Sequence, residues 1–321
     1  MNDIEHQELL AEVASLYYEK EINQVQIGEQ LGLSRVKVYR LLKEARDEQV
    51  VQISIMWPIE RDTHLEVELA NTFQLDKALV IKSGIMNYET ALRRLGQMVA
   101  RYLETTLKDG MTLAINLGQS TYEVINAIRP GFQANVNVAQ AMGSVLFTGN
   151  DLDSSSLARQ LAQKLGGQFY NLPSPIMASS LEAAAMLRDQ PMIERAINMA
   201  RHADITLVGI GGVDPEFSHY VKDDLIPAEK LIQMGANGAV GDISGKFITI
   251  SGELHDSIYN ECIIGITLED LKRIPNTIAV AMGRQKTLAI LGALRTGVIN
   301  TLCTDNRTAN DLIHIVSGNM K

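Results

Sequence analysis

Cysteines and long apolar runs are scarce in this chain, and both absences narrow what the protein can be. The two cysteines, Cys262 and Cys303, lie far apart without a CxxC pattern, which argues against a disulfide framework and for a reducing compartment. No apolar run approaches the ~20 residues of a membrane-spanning helix, and the polar, acidic start does not resemble a signal peptide. We therefore expect a cytoplasmic protein.

Patterns typical of metal and cofactor sites are also missing. The six histidines show neither HxxxH spacing nor pairing with a cysteine, so the sequence predicts no metal site. The glycine-rich stretch at residues 209–212 lacks the full GxGxxG spacing, so it gives only weak support to a dinucleotide site. We expect no cofactor.

The composition fits a folded protein of two domains. The chain has 321 residues, of which 46% are apolar, and this composition argues against intrinsic disorder. Its net charge of −9 would usually argue against nucleic acid as a partner. A local positive stripe can still bind DNA, because the distribution of charge matters more than its sum.

Residues 23–46, NQVQIGEQLGLSRVKVYRLLKEAR, predict two short helices joined by a tight turn. Ile27 lies on the apolar face of the first helix, and Gly32 supplies the backbone conformation of a sharp turn. Ser34 is a favourable N-cap for the second helix, whose other face carries a single acid and several cations: Arg35, Lys37, Arg40, Lys43 and Arg46. This pattern favours a helix-turn-helix that inserts its second helix into the DNA major groove. The alternative is an ordinary αα-hairpin with a solvated basic face.

Flanking segments complete a small domain. Residues 7–19 have the spacing of an amphipathic helix that packs beneath the helix pair. Residues 50–55, VVQISI, alternate as a small wing strand does, and Trp57-Pro58 closes the unit. The sequence thus predicts a winged helix-turn-helix DNA-binding domain over residues 1–57 and a second domain over residues 58–321. A helical pattern at residues 64–73 fits either a linker helix or a dimer contact.

From residue 78 onward, short apolar segments alternate with helical ones. The predicted strands are residues 78–82, 111–116, 136–141, 168–172, 205–210 and 301–304. The predicted helical segments are residues 88–107, 121–128, 155–165, 180–201, 287–295 and 306–317. This alternation indicates a doubly wound, mainly parallel α/β sheet. In such sheets, ligands bind beyond the carboxyl ends of strands, near a topological switch point.

The turn after the second predicted strand is a candidate phosphate site. Gly118 allows an anion to approach the backbone, and a helix begins there with free N–H groups and the side chains of Gln119, Ser120 and Thr121. The turn is not a P-loop, because the GxxxxGK[ST] spacing and its lysine are absent. An ordinary N-cap at a βα turn explains the same residues equally well.

Further candidate ligand residues follow other strands. Gly143, Gly209 and Gly211 stand at strand ends, although such glycines also serve turns and close packing. Asp242 lies in a predicted glycine-rich loop, GAVGDISG, where its carboxylate could accept hydrogen bonds from sugar hydroxyls or cap a turn. Lys286 falls in the first turn of a predicted helix, where a cation is poorly matched to the helix dipole unless it serves an anion.

Several of these motifs together resemble the SorC family, the sugar-responsive regulators of bacterial carbohydrate operons. The matching stretches run in family order over essentially the whole chain: LYYEKEINQVQIGEQLGLSRVKVYRLLKEAR, VGIGGV, GAVGDISG, YNECIIGI, AVAMGRQKTLAILGAL and INTLCTD. The resemblance implies a winged helix-turn-helix joined to an effector domain similar in fold to sugar-phosphate isomerases. It also implies a sugar or phosphosugar effector bound at the strand ends and assembly into a homotetramer.

The predicted site residues form two sets. Those expected to contact operator DNA are Ser34, Arg35, Lys37, Tyr39, Arg40 and Lys43. Those on which the resemblance places effector binding are Gly118, Gln119, Ser120, Thr121, Gly143, Gly209, Gly211, Asp242 and Lys286. The chain departs from the family at Cys262, where relatives often carry arginine, and the loss of a cation weakens phosphate binding.

The function predicted from these features is a DNA switch gated by a sugar. The alternative is a sugar-phosphate isomerase or deaminase that carries a DNA-binding domain. An enzyme of that kind would need a general base, for which Asp242 and Glu261 are candidates. Neither has an Asp/His/Glu constellation around it in the sequence, and His255 is the only histidine nearby.

Overall fold

Two units make up the chain in the computed structural model, which describes residues 3–48, 50–51, 57–116, 118–129, 131–144 and 154–318. The units are Met1–Met56 and Trp57–Lys321, and each has a hydrophobic core of its own. Within the described ranges, no helix is both long and apolar enough to cross a membrane.

The described residues of the first unit form α1 (Asp3–Tyr18), α2 (Gln24–Leu31) and α3 (Arg35–Asp47). Gly32 ends α2 in the left-handed conformation, with φ 66°, which glycine adopts at little cost. Ser34 Oγ accepts a hydrogen bond from the Lys37 N–H at 3.2 Å and thereby caps α3. The predicted turn glycine and the predicted N-cap are thus confirmed.

One apolar cluster holds these helices together. Its fully buried members come from all three helices: Leu10, Val13, Ile27, Val38, Leu41 and Ala45. Because this cluster takes one side of α3, the cations on the other side of the helix stay exposed. The wing strand predicted at residues 50–55 falls mostly on residues 52–55, which lie outside the described residues.

The second unit alternates strands and helices. Its strands are β1 (Lys77–Ile81), β2 (Thr112–Ile115), β3 (Asn137–Gln140), β4 (Phe169–Tyr170), β5 (Ile205–Gly212), β6 (Ala239–Ile243), β7 (Lys246–Thr249), β8 (Asn276–Val280) and β9 (Thr301–Asp305). Its helices are α4 (Thr63–Phe73), α5 (Tyr88–Thr106), α6 (Gln119–Ala127), α7 (Ser154–Leu165), α8 (Leu181–Arg188), α9 (Pro191–Arg201), α10 (His219–Lys222), α11 (Ala228–Ala236), α12 (Ile258–Cys262), α13 (Leu268–Arg273), α14 (Thr287–Arg295) and α15 (Asn306–Gly318). A 3-10 helix spans Arg284–Lys286.

Parallel strands form the main sheet in the order β1-β9-β8-β5-β2-β3-β4. Alternate residues of a strand point to opposite faces of the sheet, and each face packs against its own hydrophobic core. Leu113 and Ile115 of β2 pack with α5, α6 and α7, whereas Ala114 packs on the side of α9, α14 and α15. The predicted doubly wound, mainly parallel α/β sheet is confirmed. Its order reverses between β2 and β5, which makes their carboxyl ends the switch point.

The structure corrects the prediction for residues 238–245, which are not a loop. They form strand β6, followed by a turn at Ser244 and Gly245 into β7. The last three residues of β5 leave the parallel sheet and pair with β6 in antiparallel fashion, with Gly211 opposite Asp242. This hairpin extends one edge of the switch point and brings Asp242 to it.

Candidate functional site

A cavity of about 540 Å³ lies at the carboxyl ends of β2 and β5, the switch point of the sheet. Residues that follow β2, the end of β5, the β6–β7 turn and the 3-10 helix line it. Much of the remaining wall comes from the segment of residues 214–226, which we call the outer wall; it contains α10. Of the nine predicted effector residues, seven line this cavity: Gly118, Gln119, Ser120, Gly209, Gly211, Asp242 and Lys286.

The β2–α6 turn supplies one end of the cavity. Gly118 is the N-cap residue of α6, and Gln119 and Ser120 form its first turn, where backbone N–H groups have no partner within the helix. No lysine or arginine belongs to this turn, so its attraction for an anion comes from the helix N-terminus. Leu117, which precedes the turn, lies outside the described residues.

Two predicted effector residues do not line the cavity. Thr121 is fully buried, and its Oγ1 donates to the carbonyl oxygens of Asn116 and Gly118, at 3.0 and 2.7 Å. Gly143 packs against Pro175 so closely that a Cβ there would lie 2.3 Å from the Pro175 carbonyl oxygen. In this structure Thr121 ties the β2–α6 turn together, and the lack of a side chain at Gly143 permits close packing, so the cavity lining does not support a ligand contact for either residue.

Asp242 lies at the centre of the hairpin side of the cavity and is 8% exposed. Its Oδ2 accepts hydrogen bonds from the Tyr220 hydroxyl at 3.0 Å and from the Gly245 N–H at 3.1 Å. Burial raises the pKa of Asp242, while these two donors and the charge of Lys286 act in the opposite direction. One oxygen of this carboxylate is thus already engaged within the protein, and it orients Tyr220 of the outer wall.

Lys286 lies in the 3-10 helix just before α14, not in the first turn of α14 as predicted. Its Nζ donates to the Ile210 carbonyl oxygen at 2.9 Å, at the end of β5. Burial lowers the pKa of Lys286, and the nearby charge of Asp242 opposes that effect. The ammonium group therefore stands within the cavity as a partly desolvated cation, where an anionic ligand gains most from it.

The sequence reasoning missed two polar side chains whose buried atoms lack partners. Asn116 is 2% exposed; its Nδ2 donates to Ser244 Oγ, but its Oδ1 has no hydrogen-bond partner. Ser218 of the outer wall is 4% exposed, and its Oγ also has none. Both residues line the cavity. Buried polar atoms are usually paired, so these two are ready to bind hydroxyl groups of a ligand.

The outer wall was also missed, because its sequence shows neither helical nor strand periodicity. It places the side chains of Phe217, His219, Lys222 and Leu225 on the cavity. Met142 and Ile176 supply apolar surface from other elements of the unit. The cavity thus combines apolar walls with hydroxyl, amide, cationic and carboxylate groups, the last from Glu89, Asp223 and Asp242. Such a mixture suits a polyol, whose hydroxyls both donate and accept hydrogen bonds.

On the first unit, the predicted DNA residues share one exposed surface of α3. Ser34, Arg35, Lys37, Tyr39, Arg40 and Lys43 are all exposed. Val36, which the sequence reasoning passed over, is 60% exposed at the start of the same helix. An exposed apolar residue there could contact a thymine methyl group.

His6, Glu44 and Glu48 come together between α1 and α3, with ligand atoms within 4.8 Å of one another. His6 Nε2 and Glu44 Oε1 are 2.7 Å apart, and Gln7 Nε2 donates to Glu48. Among the residues that the structure describes, no other set of three or more potential metal ligands meets this criterion. The two pairs, His6 with Glu44 and Gln7 with Glu48, tie α1 to the C-terminal end of α3.

The sequence of this chain matches a known protein family and several regulators. A family model described as a "putative sugar-binding domain" matches residues 57–314. The deoxyribonucleoside regulator of Bacillus subtilis (strain 168) is 31% identical over 312 residues, which cover 97% of this chain and 99% of that protein. The transcriptional regulator LsrR of Klebsiella pneumoniae is 31% identical over 319 residues, which cover 97% of this chain and 94% of that protein.

Solved structures agree with these matches. The full-length sorbitol operon regulator SorC from Klebsiella pneumoniae superposes with a TM-score of 0.72 at 25% identity, over 96% of this chain and 99% of that one. A sugar-binding domain of a transcriptional repressor from Vibrio fischeri gives a TM-score of 0.73 at 30% identity, over 80% of this chain and all of that one.

The fold, the cavity and these matches define a transcriptional regulator with an α/β sugar-binding domain. Within that class, the chain belongs to the SorC family. The resemblance found in the sequence motifs is confirmed.

Proposed function

We propose that this regulator controls a carbohydrate-utilisation operon, and that a sugar or phosphosugar in the cavity changes how its first unit binds operator DNA. The observation that carries the proposal is the cavity at the switch point. It brings a helix N-terminus, the cation of Lys286 and two unpartnered buried polar atoms together beside apolar surface. Asn116 and Ser218 suit sugar hydroxyls, whereas Lys286 and the α6 N-terminus suit a phosphate.

The DNA-contacting surface in this proposal is that of α3, read as the recognition helix of a winged helix-turn-helix. Arg35, Lys37, Tyr39 and Arg40 would face base edges or phosphates, and Lys43 would face the backbone. The exposed cations of α3 and its serine cap support this assignment. Pairing of two protomers would place two such helices about one helical turn of DNA, ~34 Å, apart.

Assembly and location follow from this role. We expect a homotetramer, whose subunit packing changes when the effector binds and thereby shifts the spacing of the recognition helices. We expect it in the cytoplasm, where operator DNA and intracellular sugars are found and where its two buried, free thiols stay reduced. Light scattering with and without effector measures the assembly state directly.

The test is an electrophoretic mobility shift assay on DNA upstream of the operon, with a panel of free and phosphorylated pentoses and hexoses. At least one sugar should change operator affinity by roughly 5–150-fold. Lys286→Met should still bind DNA but respond less to phosphorylated sugars. Arg40→Ala should lower the affinity for DNA. The slope of log affinity against log salt concentration should decrease by the equivalent of about one phosphate contact. Lys230→Ala should change neither the affinity nor the slope. Operator binding that no sugar alters would overturn the proposal.

The enzyme alternative is disfavoured by the surroundings of its candidate bases. Asp242 is engaged by Tyr220 and Gly245, and neither Glu261 nor His255 lines the cavity. The relatives are named transcriptional regulators. Incubation with sugar phosphates should leave them chemically unchanged while the effector raises the melting temperature. Conversion of any of them would restore the enzyme hypothesis.

A further inference from the structure

Helix α5 lines the cavity at the switch point with its first turn and contacts the start of the second unit one to two turns later. Tyr88 and Glu89, its first two residues, line the cavity. Arg94, about 8 Å further along the helix axis, lies beside Trp57, the first residue of the second unit. A single helix therefore connects the ligand cavity with the place where the chain leaves the first unit.

The contact between Arg94 and Trp57 is a cation–π interaction. The guanidinium carbon of Arg94 lies 5.0 Å from the centroid of the Trp57 ring, within the ~6 Å over which such pairs attract. Arg94 Nε is buried, and it has no hydrogen-bond partner among the described residues. Since this nitrogen is not tied to another group, the guanidinium can follow the helix and the Trp57 ring together.

The chain is anchored to the edge of the main sheet a few residues after Trp57. The Asp62 N–H donates to the Val80 carbonyl oxygen of β1 at 2.9 Å. The Arg61 guanidinium donates to both carboxylate oxygens of Glu66 in α4, at 2.7 and 2.6 Å. These bonds fix the linker on β1 and α4, so the part of it nearer to Trp57 is the part that can move with α5.

A ligand can act on α5 directly and also through α6. Besides the two α5 residues, the first turn of α6 lines the cavity with Gln119 and Ser120. The two helices approach each other closely, because a Cβ at Gly96 of α5 would lie 2.7 Å from the carbonyl oxygen of Glu123 in α6. Such close packing means that α6 cannot shift far without moving α5.

We propose that α5 transmits effector binding to the first unit through Arg94 and Trp57. Binding in the cavity shifts α5, Arg94 carries the Trp57 ring with it, and the change passes along the chain into the first unit. The inference rests on the proposed function and adds the two residues through which the response passes. Coupling of this kind needs only a modest free energy, of the order that one cation–π contact supplies.

Trp57 is the only tryptophan of the chain, so its fluorescence reports on this contact without a label. The emission of the full-length protein is recorded during titration with free and phosphorylated pentoses and hexoses, while calorimetry measures their affinity independently. A sugar that changes operator affinity should also change Trp57 emission, with the same half-saturating concentration. Constant Trp57 emission with such a sugar would overturn the inference.

Variants of Arg94 test whether the contact carries the response. Arg94→Gln should still bind the sugar, but the factor by which the sugar changes operator affinity should fall at least about twofold, because the ring loses its cation. Arg94→Lys keeps a cation and should retain part of the response. Arg101→Gln, at an exposed arginine of the same helix, should keep the wild-type factor. Arg94→Gln must therefore differ from both other variants; equality with either would contradict the role of Arg94.

A replacement on the other side of the contact separates coupling from a general loss of folding. Trp57→Leu should lower the factor as much as Arg94→Gln does. The double variant should lower it no further, because both substitutions remove the same contact. Additive losses would mean that the two residues act separately, which the inference excludes.

The outcomes also distinguish this inference from the proposed function. If a sugar changes operator affinity by the same factor in the wild type and in Arg94→Gln, the regulator is sugar-responsive and the route through Arg94 is wrong. If sugars alter Trp57 emission but none alters operator affinity, the route from the cavity to Trp57 stands and the proposed function falls.

Discussion

Gly211 and Asp242 face each other across the antiparallel pairing of β5 and β6. A Cβ at position 211 would lie 2.0 Å from Asp242 Oδ1, far closer than two such atoms can approach. The carboxylate can lie against the strand only because that Cβ is missing. From this position Asp242 holds Tyr220, so a glycine indirectly positions the outer wall.

Gly211→Ala should therefore displace the Asp242 carboxylate and lower the stability of the second unit by about 1–3 kcal/mol. Gly212→Ala is the matched control, because a Cβ at that neighbouring position meets nothing within 4 Å. Urea unfolding of the two variants measures the difference. Equal stabilities would contradict the proposed role of the missing Cβ.

Lys246 is a second residue whose surroundings lead to a prediction. It is 6% exposed, and its Nζ donates to the carbonyl oxygens of Asn260 and, at 3.4 Å, Ile263. Burial, with a further contribution from the charge of Arg188, lowers the pKa of Lys246 to about 8. The folded state thus disfavours the charged lysine, and this penalty is fully present below pH 8.

The penalty should disappear as the pH rises from 8 towards 10.5, the ordinary pKa of the unfolded chain. Relative to the wild type, Lys246→Met should therefore become less stable over this interval, by at most about 3 kcal/mol. Stability measured by urea unfolding at several pH values checks the trend, and Lys230→Met, at an exposed lysine, controls for general alkaline effects. A pH-independent difference between Lys246→Met and the wild type would refute the assignment.

At the scale of elements, local chemistry explains which parts of the fold were predictable. Ser34 and Gly32 act on the backbone within three residues, so the boundaries of α2 and α3 could be read from the sequence. The alternation of short apolar segments with helical segments predicted the main sheet for the same reason, since each strand and helix shows its own periodicity.

The hairpin of β6 and β7 was not predicted, because a segment with so many glycines has the composition of a loop. Gly241 is small because a Cβ would clash with Ala289 of α14, at 2.4 Å, and Gly211 is small because of Asp242. Both reasons lie in residues distant in sequence. The outer wall escaped for a related cause: its residues line a cavity together with Lys286, 61 or more residues away in the sequence, only once the chain has folded.

The cap of α3 allows the folding and DNA-binding roles of one residue to be separated. Ser34→Ala removes the acceptor for the Lys37 N–H and should destabilise the first unit by about 1 kcal/mol. Ser34→Asp restores an acceptor at the same position, so stability should stay near that of the wild type. Its negative charge should nevertheless weaken operator binding, because it would lie near DNA phosphates. Circular dichroism in urea and mobility shift assays measure the two effects; a loss of stability in Ser34→Asp equal to that of Ser34→Ala would contradict this account.

At the scale of the whole molecule, the second unit, Trp57–Lys321, is by far the larger. In the proposed mechanism this unit senses the effector, and the short α3 carries the response to DNA. Sensing and DNA binding are then linked by a coupling free energy, which must be the same whichever ligand is added first.

This reciprocity gives the last prediction. If saturating effector changes operator affinity by a given factor, saturating operator DNA must change effector affinity by the same factor and in the same direction, a coupling of about 1–3 kcal/mol. Fluorescence anisotropy of labelled operator gives one factor, and calorimetric titration of effector into free and DNA-bound protein gives the other. Arg40→Ala should weaken DNA binding while leaving both factors equal to each other, since the proposal places this residue on DNA and it does not line the effector cavity. Factors of one in both titrations would contradict the proposal that an effector in the cavity controls operator binding.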